Sequence, residues 1–276
     1  MIDIEHLRTW IGRTEQQSET VTDAIVQRFA ATFDAPAAAR DGEAAPTMIH
    51  LCLAPPAAPT AALGPDGHPE RGGFLPPVPL ARRMWAGGSF VFHGEIRVGE
   101  RVTRHSTIRD VRLRQGRTGM LCFVTVDHRI DSAGRLAVEE RQDIVYRDAG
   151  APPAPTAGPA PQGTHRMAMH PSAALLFRYS ALTFNGHRIH YDAPYARQVE
   201  GYPGLIVHGP LQASLLVRMA EGLRGARPAR FSFRSLSPLF DDRDFMLNAA
   251  DAPDGSMRLW TAYPDGPIAM EASAVW

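Results

Sequence analysis

The sequence predicts an α+β protein built as two similar halves, and three observations carry that prediction. Its 276 residues exceed one domain of ~100–150 residues and suit two. Residues 149–163 place five prolines in the thirteen positions from Ala151. That composition holds neither a helix nor a central strand and reads as a semi-extended linker. On either side the same order of patterns recurs, with helices early and antiparallel strands late. The expected domains are therefore 1–148 and 164–276.

In the first half a helix is expected near Thr22–Phe33, capped by Thr20 or Thr22, with Ile25, Val26 and Phe29 on its apolar side. Ala54–Pro79 is so rich in Pro and Gly that it reads as an irregular covering loop. Strands are expected at Phe90–Ile96, Arg101–Leu113, Met120–Ile130 and Leu136–Tyr146, with Asp131-Ser-Ala-Gly134 as a hairpin turn. The second half opens with a helix near Ser172–Phe184, capped by Ser172. It then carries a long helical pattern between Pro203 and Leu223, with Leu211, Leu215, Met219 and Leu223 at four-residue steps. That helix begins at Val207-His208-Gly209-Pro210. Four strands follow, at Arg230–Ser235, Phe245–Ala250, Met257–Tyr263 and Ile268–Val275. The region of the first half that matches the long helix is Ala54–Pro79, so one copy has lost its helix. Chemistry is expected in the intact copy.

Composition removes several function classes. All 29 basic side chains are arginine, which excludes a lysine nucleophile, a Schiff base and a P-loop lysine. The 29 acidic residues bring the formal charge to zero, against the basic excess of a nucleic-acid binder. Only Cys52 and Cys122 occur, without metal-ligand spacing, so neither a disulfide framework nor a zinc site is expected. The N-terminus lacks the pattern of a secretory signal, and no apolar run approaches the ~18–20 residues of a membrane span. A cytoplasmic location follows as the expectation, with no membrane partner.

The densest polar segment is Phe184-Asn-Gly-His187-Arg188-Ile-His190-Tyr191-Asp192, directly after a predicted helix. Two histidines, an amide, an arginine and a carboxylate exceed what a connection needs, although a solvated loop with helix caps would look similar. His187 and His190 have a spacing compatible with a metal, but no third ligand lies near them in the chain, and no metal site is expected. Of the residues around them, His208 reads more readily as a packing residue than a reacting one, and Tyr191 and Tyr195 as walls. Arg82, Arg83 and Trp85 lie in a segment read as a shaped loop at a substrate mouth. Arg188, Arg230 and Arg234 are alternatives for gripping an anion, since a guanidinium fork suits phosphate and carboxylate.

Asn185–Asp192 followed by His208-Gly209 resembles the hydratase signature of MaoC-like hot-dog proteins, Asp-x-Asn-Pro-aliphatic-His-x-Asp with a later His-Gly. The longer string Tyr179–Asp192 is similar to type 2 3-hydroxyacyl-thioester dehydratases and to bacterial mesaconyl- and itaconyl-CoA hydratases. Arg82–Gly88 and Glu140–Arg147 resemble first-half motifs of the same group. The resemblance implies a double hot-dog fold, with an antiparallel sheet wrapped on a helix in each half and the N-terminal central helix degenerate. It further implies that His190 is the catalytic histidine and that the Gly209 N–H meets the thioester oxygen. Asn185 stands where the group's aspartate would be, and His187-Arg188 replace Asn-Pro.

An amide cannot be a general base, so Asn185 is expected to orient water or donate to a substrate oxygen, leaving proton transfer to His190. The resemblance implies a hydro-lyase acting on itaconyl-CoA or C4-linked mesaconyl-CoA to give citramalyl-CoA. The alternatives are a fatty 3-hydroxyacyl-thioester dehydratase or a non-catalytic acyl-CoA-binding subunit. No cofactor is expected beyond the coenzyme A of the substrate. A chain with two hot dogs is expected to work as a monomer or a homodimer.

Overall fold

Two half-sheets of five strands meet edge to edge in the computed structural model, which describes residues 2–36, 40–116, 119–150 and 158–276. Residues 151–157 of the expected linker lie outside the described residues. The strands of the first half are β1 (Thr14–Thr20), β2 (Arg82–Phe92), β3 (Arg101–Gly116), β4 (Gly119–Ser132) and β5 (Arg135–Arg147). Those of the second are β6 (His165–Met169), β7 (Arg230–Ser235), β8 (Phe245–Asp251), β9 (Met257–Ala262) and β10 (Ile268–Val275). The sheet order is β1-β3-β4-β5-β2-β7-β10-β9-β8-β6. Read inward from each edge, the two halves have the same order. They join through antiparallel β2 and β7, with Ser89 opposite Ser232. The fold is α+β, and the two expected sheets are fused into one.

Helix α2 (Asp23–Thr32) starts where Thr22 accepts a hydrogen bond from Ile25 N–H, and α3 (Ala173–Leu182) where Ser172 accepts from Leu175 N–H. The long helix α5 (Gly209–Arg224) has Pro210 in its first turn and ends at Gly225, whose φ of 69° is the left-handed cap that glycine adopts at little cost. Leu211, Leu215, Leu216, Val217 and Ala220 of α5 are buried. They share a core with Phe90, Phe92, Phe231 and Phe233 from the two strands of the seam. In the first half, α2 and a 3₁₀ turn at Ile49–Cys52 join that core through Phe29, Met48, Ile49 and Cys52. A second cluster lies under Val78 and Leu80, formed by Ile108, Val124, Ile144, Tyr146 and Leu7 of α1 (Ile4–Arg8). Between Ala54 and Pro79 there is only a 3₁₀ turn, Thr60–Ala62.

Three differences from the sequence reading have physical causes. Strand β2 runs over Arg82–Phe92, not Phe90–Ile96, so Trp85-Ala-Gly-Gly88 is strand and not loop. It is paired on both sides, and a Cβ on Gly88 would collide with the Arg141 carbonyl oxygen and approach the Phe233 ring to 3.0 Å. Glycine marks a close approach there. Strands β1 and β6 escaped notice because they are the two sheet edges. Thr-Glu-Gln-Gln-Ser-Glu-Thr in β1 has no fully buried position and hence no apolar alternation. The short helices α1 and α4 (Ala193–Gln198) span too few residues to show a period.

Candidate active site

The polar segment folds as a chain of local locks. Helix α3 ends at Phe184, whose φ is 51°, and Asn185 N–H bonds the Ser180 carbonyl at 2.8 Å. The Asn185 side-chain oxygen accepts from His187 N–H at 3.0 Å, an Asx turn that reverses the chain. A 3₁₀ turn at Arg188–His190 then drives His190 inward, to 7 % exposure. Asp192 caps α4 by accepting from Tyr195 N–H, and pairs with Arg188 at 2.8 Å.

His190 Nδ1 lies 2.7 Å from the Ile206 carbonyl oxygen. A carbonyl only accepts, so Nδ1 carries the proton and Nε2 is left as a bare base. Burial holds His190 down to about 4, so the imidazole is neutral at pH 7. The His190 ring stacks on His208, with centroids 3.6 Å apart and planes at 17°. His208 is fully buried, and its Nε2 is 2.8 Å from Ser180 Oγ. His208 is also the residue before α5, whose first N–H is on Gly209, so the stack ties His190 to the start of that helix. First-turn N–H groups have no acceptor within the helix and sit at the positive end of its dipole. A Cβ at Gly209 would lie 3.0 Å from Trp85 Cε3, so Trp85 of β2 packs against Gly209 from the other half.

His187 is buried and meets His190 edge-on, with centroids 5.3 Å apart. Its other face lies 4.0 Å from the ring of His68. His68 belongs to the covering loop of the first half, and Asp66 fixes it twice. Asp66 accepts from His68 N–H and from His68 Nδ1, each at 3.0 Å. The loop is clasped to the motif. Arg188 N–H bonds the Asp66 carbonyl at 2.9 Å, and the Arg188 guanidinium bonds the Pro65 carbonyl at 3.0 Å. Gly67 has a φ of +86°, and a Cβ on it would strike the Gly186 carbonyl, so only glycine fits that approach. Burial and the nearby Arg83 charge pull His68 down to about 4 against the opposing pull of Asp66. Burial also pushes His187 and His208 well below the ordinary histidine value. Asp66, His68 and His187 offer ligand atoms within 4.8 Å of one another. The third group that the sequence did not place beside the histidines is therefore supplied from over a hundred residues away. Asp66 and His68 were invisible in the sequence because Asp-Gly-His in a Pro/Gly stretch reads as a turn.

The arginines separate cleanly. Arg82 is buried and spent on structure, with Nε 2.9 Å from the Glu200 carboxylate and a further bond to the Glu200 carbonyl. Arg188 is held by Asp192 and Pro65. Arg230 and Arg234 alternate on β7 with buried Phe231 and Phe233, so they lie on the sheet face away from α5. Arg234 is 3.3 Å from Glu271 there and does not join the site. Arg83 is half-buried, lines a small cavity with Asp66, His187 and Tyr202, and has no carboxylate within 4.0 Å among the described residues. Tyr191 is 42 % exposed and bonds the Gly186 carbonyl through its hydroxyl, tying the motif loop at its surface.

The family model for hydroxyacyl-thioester dehydratase type 2 matches residues 47–241, which include the covering loop, the histidine motif and α5. The chain belongs to that family. It is a MaoC-like double hot-dog hydratase/dehydratase, an enzyme of the hydro-lyase type acting on acyl thioesters. A mesaconyl-C(4)-CoA hydratase of Chloroflexus aurantiacus is 46% identical over 96% of this chain and 95% of that protein. The mitochondrial type 2 hydroxyacyl-thioester dehydratase of Schizosaccharomyces pombe is 29% identical over 67% of this chain and 70% of that protein. Among solved structures, a MaoC-like dehydratase from Phytophthora capsici superposes with a TM-score of 0.71 at 13% identity, covering 99% of this chain and 98% of that one. This type 2 dehydratase relative thus has its fold from the whole chain and its histidine cluster from both halves. No helix among the described residues is long and apolar enough to cross a membrane.

Proposed function

We propose that the enzyme adds water to a short dicarboxylic enoyl-CoA, mesaconyl-CoA linked through C4 or itaconyl-CoA, and so forms citramalyl-CoA. The observation that carries the reading is the bare Nε2 of His190, whose ring stacks on His208, the residue directly before the first N–H of α5. His190 takes a proton from water as the oxygen bonds Cβ. The π electrons move onto the thioester oxygen, where the Gly209 N–H stabilises the enolate. The same imidazolium then returns the proton to Cα, and the atoms balance with no redox partner. Each such N–H is worth ~2.7–4 kcal/mol of transition-state stabilisation. A neutral histidine in a dry site is poised for this exchange.

Arg83 supports the dicarboxylic substrate. It is the half-buried cation beside the histidines that lacks a carboxylate partner, and a free substrate carboxylate would supply one. The relative's C4-linked mesaconyl ester carries such a group. In this scheme the chain works as a monomer or as a homodimer of double hot dogs. In this scheme the only cofactor is the coenzyme A of the substrate.

Loss of the enoyl-thioester chromophore, followed across a panel of CoA esters, tests this. Turnover is expected with the C4-linked dicarboxylic esters, and a monocarboxylic crotonyl ester should be poorer. Arg83→Gln should lower kcat/KM for the dicarboxylic ester by roughly 10–150-fold, the worth of a charge-assisted pair, with crotonyl-CoA little changed. Equal losses on both esters would sink the assignment of Arg83.

A further inference from the structure

Two groups are needed to hold both hydrogens of a reacting water, and the motif loop offers His190 and the amide Asn185. The Asn185 side-chain oxygen is engaged by His187 N–H in the loop's own turn. His190 alone then leaves the second hydrogen of the water unheld. The opposite wall of the cluster offers a replacement. His68 is pinned by two hydrogen bonds to Asp66, and the carboxylate on Nδ1 leaves Nε2 as the acceptor. Its ring lies on His187, which in turn meets His190.

The loop that carries His68 is not free to wander. Arg188, two residues before His190, grips the carbonyls of both Pro65 and Asp66, and the Gly67–Gly186 contact admits no side chain. The position of His68 relative to His190 is thus fixed through a single residue, Arg188. The segment that builds it is the one where the first half has lost its helix.

We propose that His68 is a second catalytic residue, holding the reacting water opposite His190, and that Asp66 is its positioning residue. The role rests on the hydratase reading above. In the step itself, one O–H of the water passes its proton to His190 Nε2 while the oxygen bonds Cβ. The other O–H donates to His68 Nε2 and survives as the hydroxyl of the product. His68 therefore neither gains nor loses a proton over the cycle. Its work is to aim a lone pair of the water at Cβ, and the Asp66 carboxylate keeps the imidazole in the tautomer that can accept. The cluster Asp66, His68 and His187 also has the spacing of a cation site, but the Arg83 charge facing His68 opposes a second cation there.

The test uses the full-length chain and the CoA ester that the wild type hydrates fastest. His68→Gln is expected to lower kcat by ~100-fold or more, with KM little changed and the circular dichroism spectrum retained. Asp66→Asn should give a smaller fall of the same kind. Imidazole added to His68→Ala should restore part of kcat, in proportion to the neutral form, which a purely structural role would not allow. Undiminished kcat in folded His68→Gln would overturn the proposal. So would wild-type activity that chelation abolishes and Zn²⁺ restores, since the cluster would then be a metal site. A wild type inert toward every ester would remove the hydratase reading and this role with it, a result distinct from a defect confined to the variants.

Discussion

The two halves share a strand order and differ in what lies against the sheet. In the second half α5 covers β8, β9 and β10, and His208, the residue before it, stacks on His190. In the first half the matching stretch has no such helix. Cover there comes from α2, a 3₁₀ turn and the Pro/Gly segment, whose Val78 and Leu80 are buried over the sheet. Losing the helix did not make the first half inert. A helix presents side chains at fixed intervals on one face, whereas an irregular segment can reach across the seam. This one places Asp66 and His68 against the motif of the other half, and β2 adds Arg83 and Trp85. In the proposed reaction the helix supplies the oxyanion donor, and the loop supplies the second wall.

His190→Ala breaks this division on the helical side, and the largest effect is expected there. Its kcat should fall by ~10²–10⁴-fold in a folded protein, as for removal of a general base, read by steady-state kinetics alongside circular dichroism. On the loop side, Gly67→Ala sets a Cβ against the Gly186 carbonyl in a left-handed conformation. Strain of ~1–3 kcal/mol is expected. It should appear as a lower melting temperature together with a lost kcat, because unclasping moves His68. The same strain without loss of kcat would show that the clasp does not position the site.

Acid should weaken both halves. His50 and His128 in the first half are held down to about 3 by burial, His68 and His190 to about 4, and His187 and His208 well below normal. Each folded value lies below the unfolded ~6.5, so the unfolded chain binds protons first. The stability from these groups is present above about pH 6.5 and is lost as pH falls toward their folded values. Glu140 runs the other way. Burial raises it to about 7, so its contribution is lost as pH rises through that value. Melting temperature against pH checks both signs. The acid limb of kcat/KM should lie nearer pH 4 than 6.5, because burial disfavours the His190 cation and the neighbouring rings of His187, His208 and His68 bring no negative charge to stabilise it. The smallest effect is Gly222→Ala in α5, an exposed glycine with open space around its Cβ position. It should stabilise by ~0.5–1 kcal/mol through helix propensity and leave kcat alone.

The helices α2, α3 and α5 were legible in the sequence because their apolar faces repeat at the helical period, and Thr22 and Ser172 mark the starts of the first two. The strands β7 to β10 were legible through their alternation. The edge strands were not, since a strand exposed on both faces carries no pattern. The motif around His190 was legible as a concentration of polar groups after a helix, and the start of α5 at Gly209 from the His-Gly-Pro that opens its helical pattern. Arg234 looked as eligible as Arg83 because either guanidinium suits a phosphate or a carboxylate. The direction in which a strand residue points depends on register, and register appears only once β2 and β7 are paired.

The sequence by itself determined the repeated strand plan, the long helix of the second half and the histidine-rich motif after α3, because each rests on local periodicity or on neighbours in the chain. Only the tertiary structure decided what faces that histidine. Asp66 and His68 stand more than a hundred residues before His190, and a tight approach of Gly67 to Gly186 brings them together. Contacts made across such a distance depend on how the two half-sheets meet at their seam, a relation that no local pattern in the chain encodes.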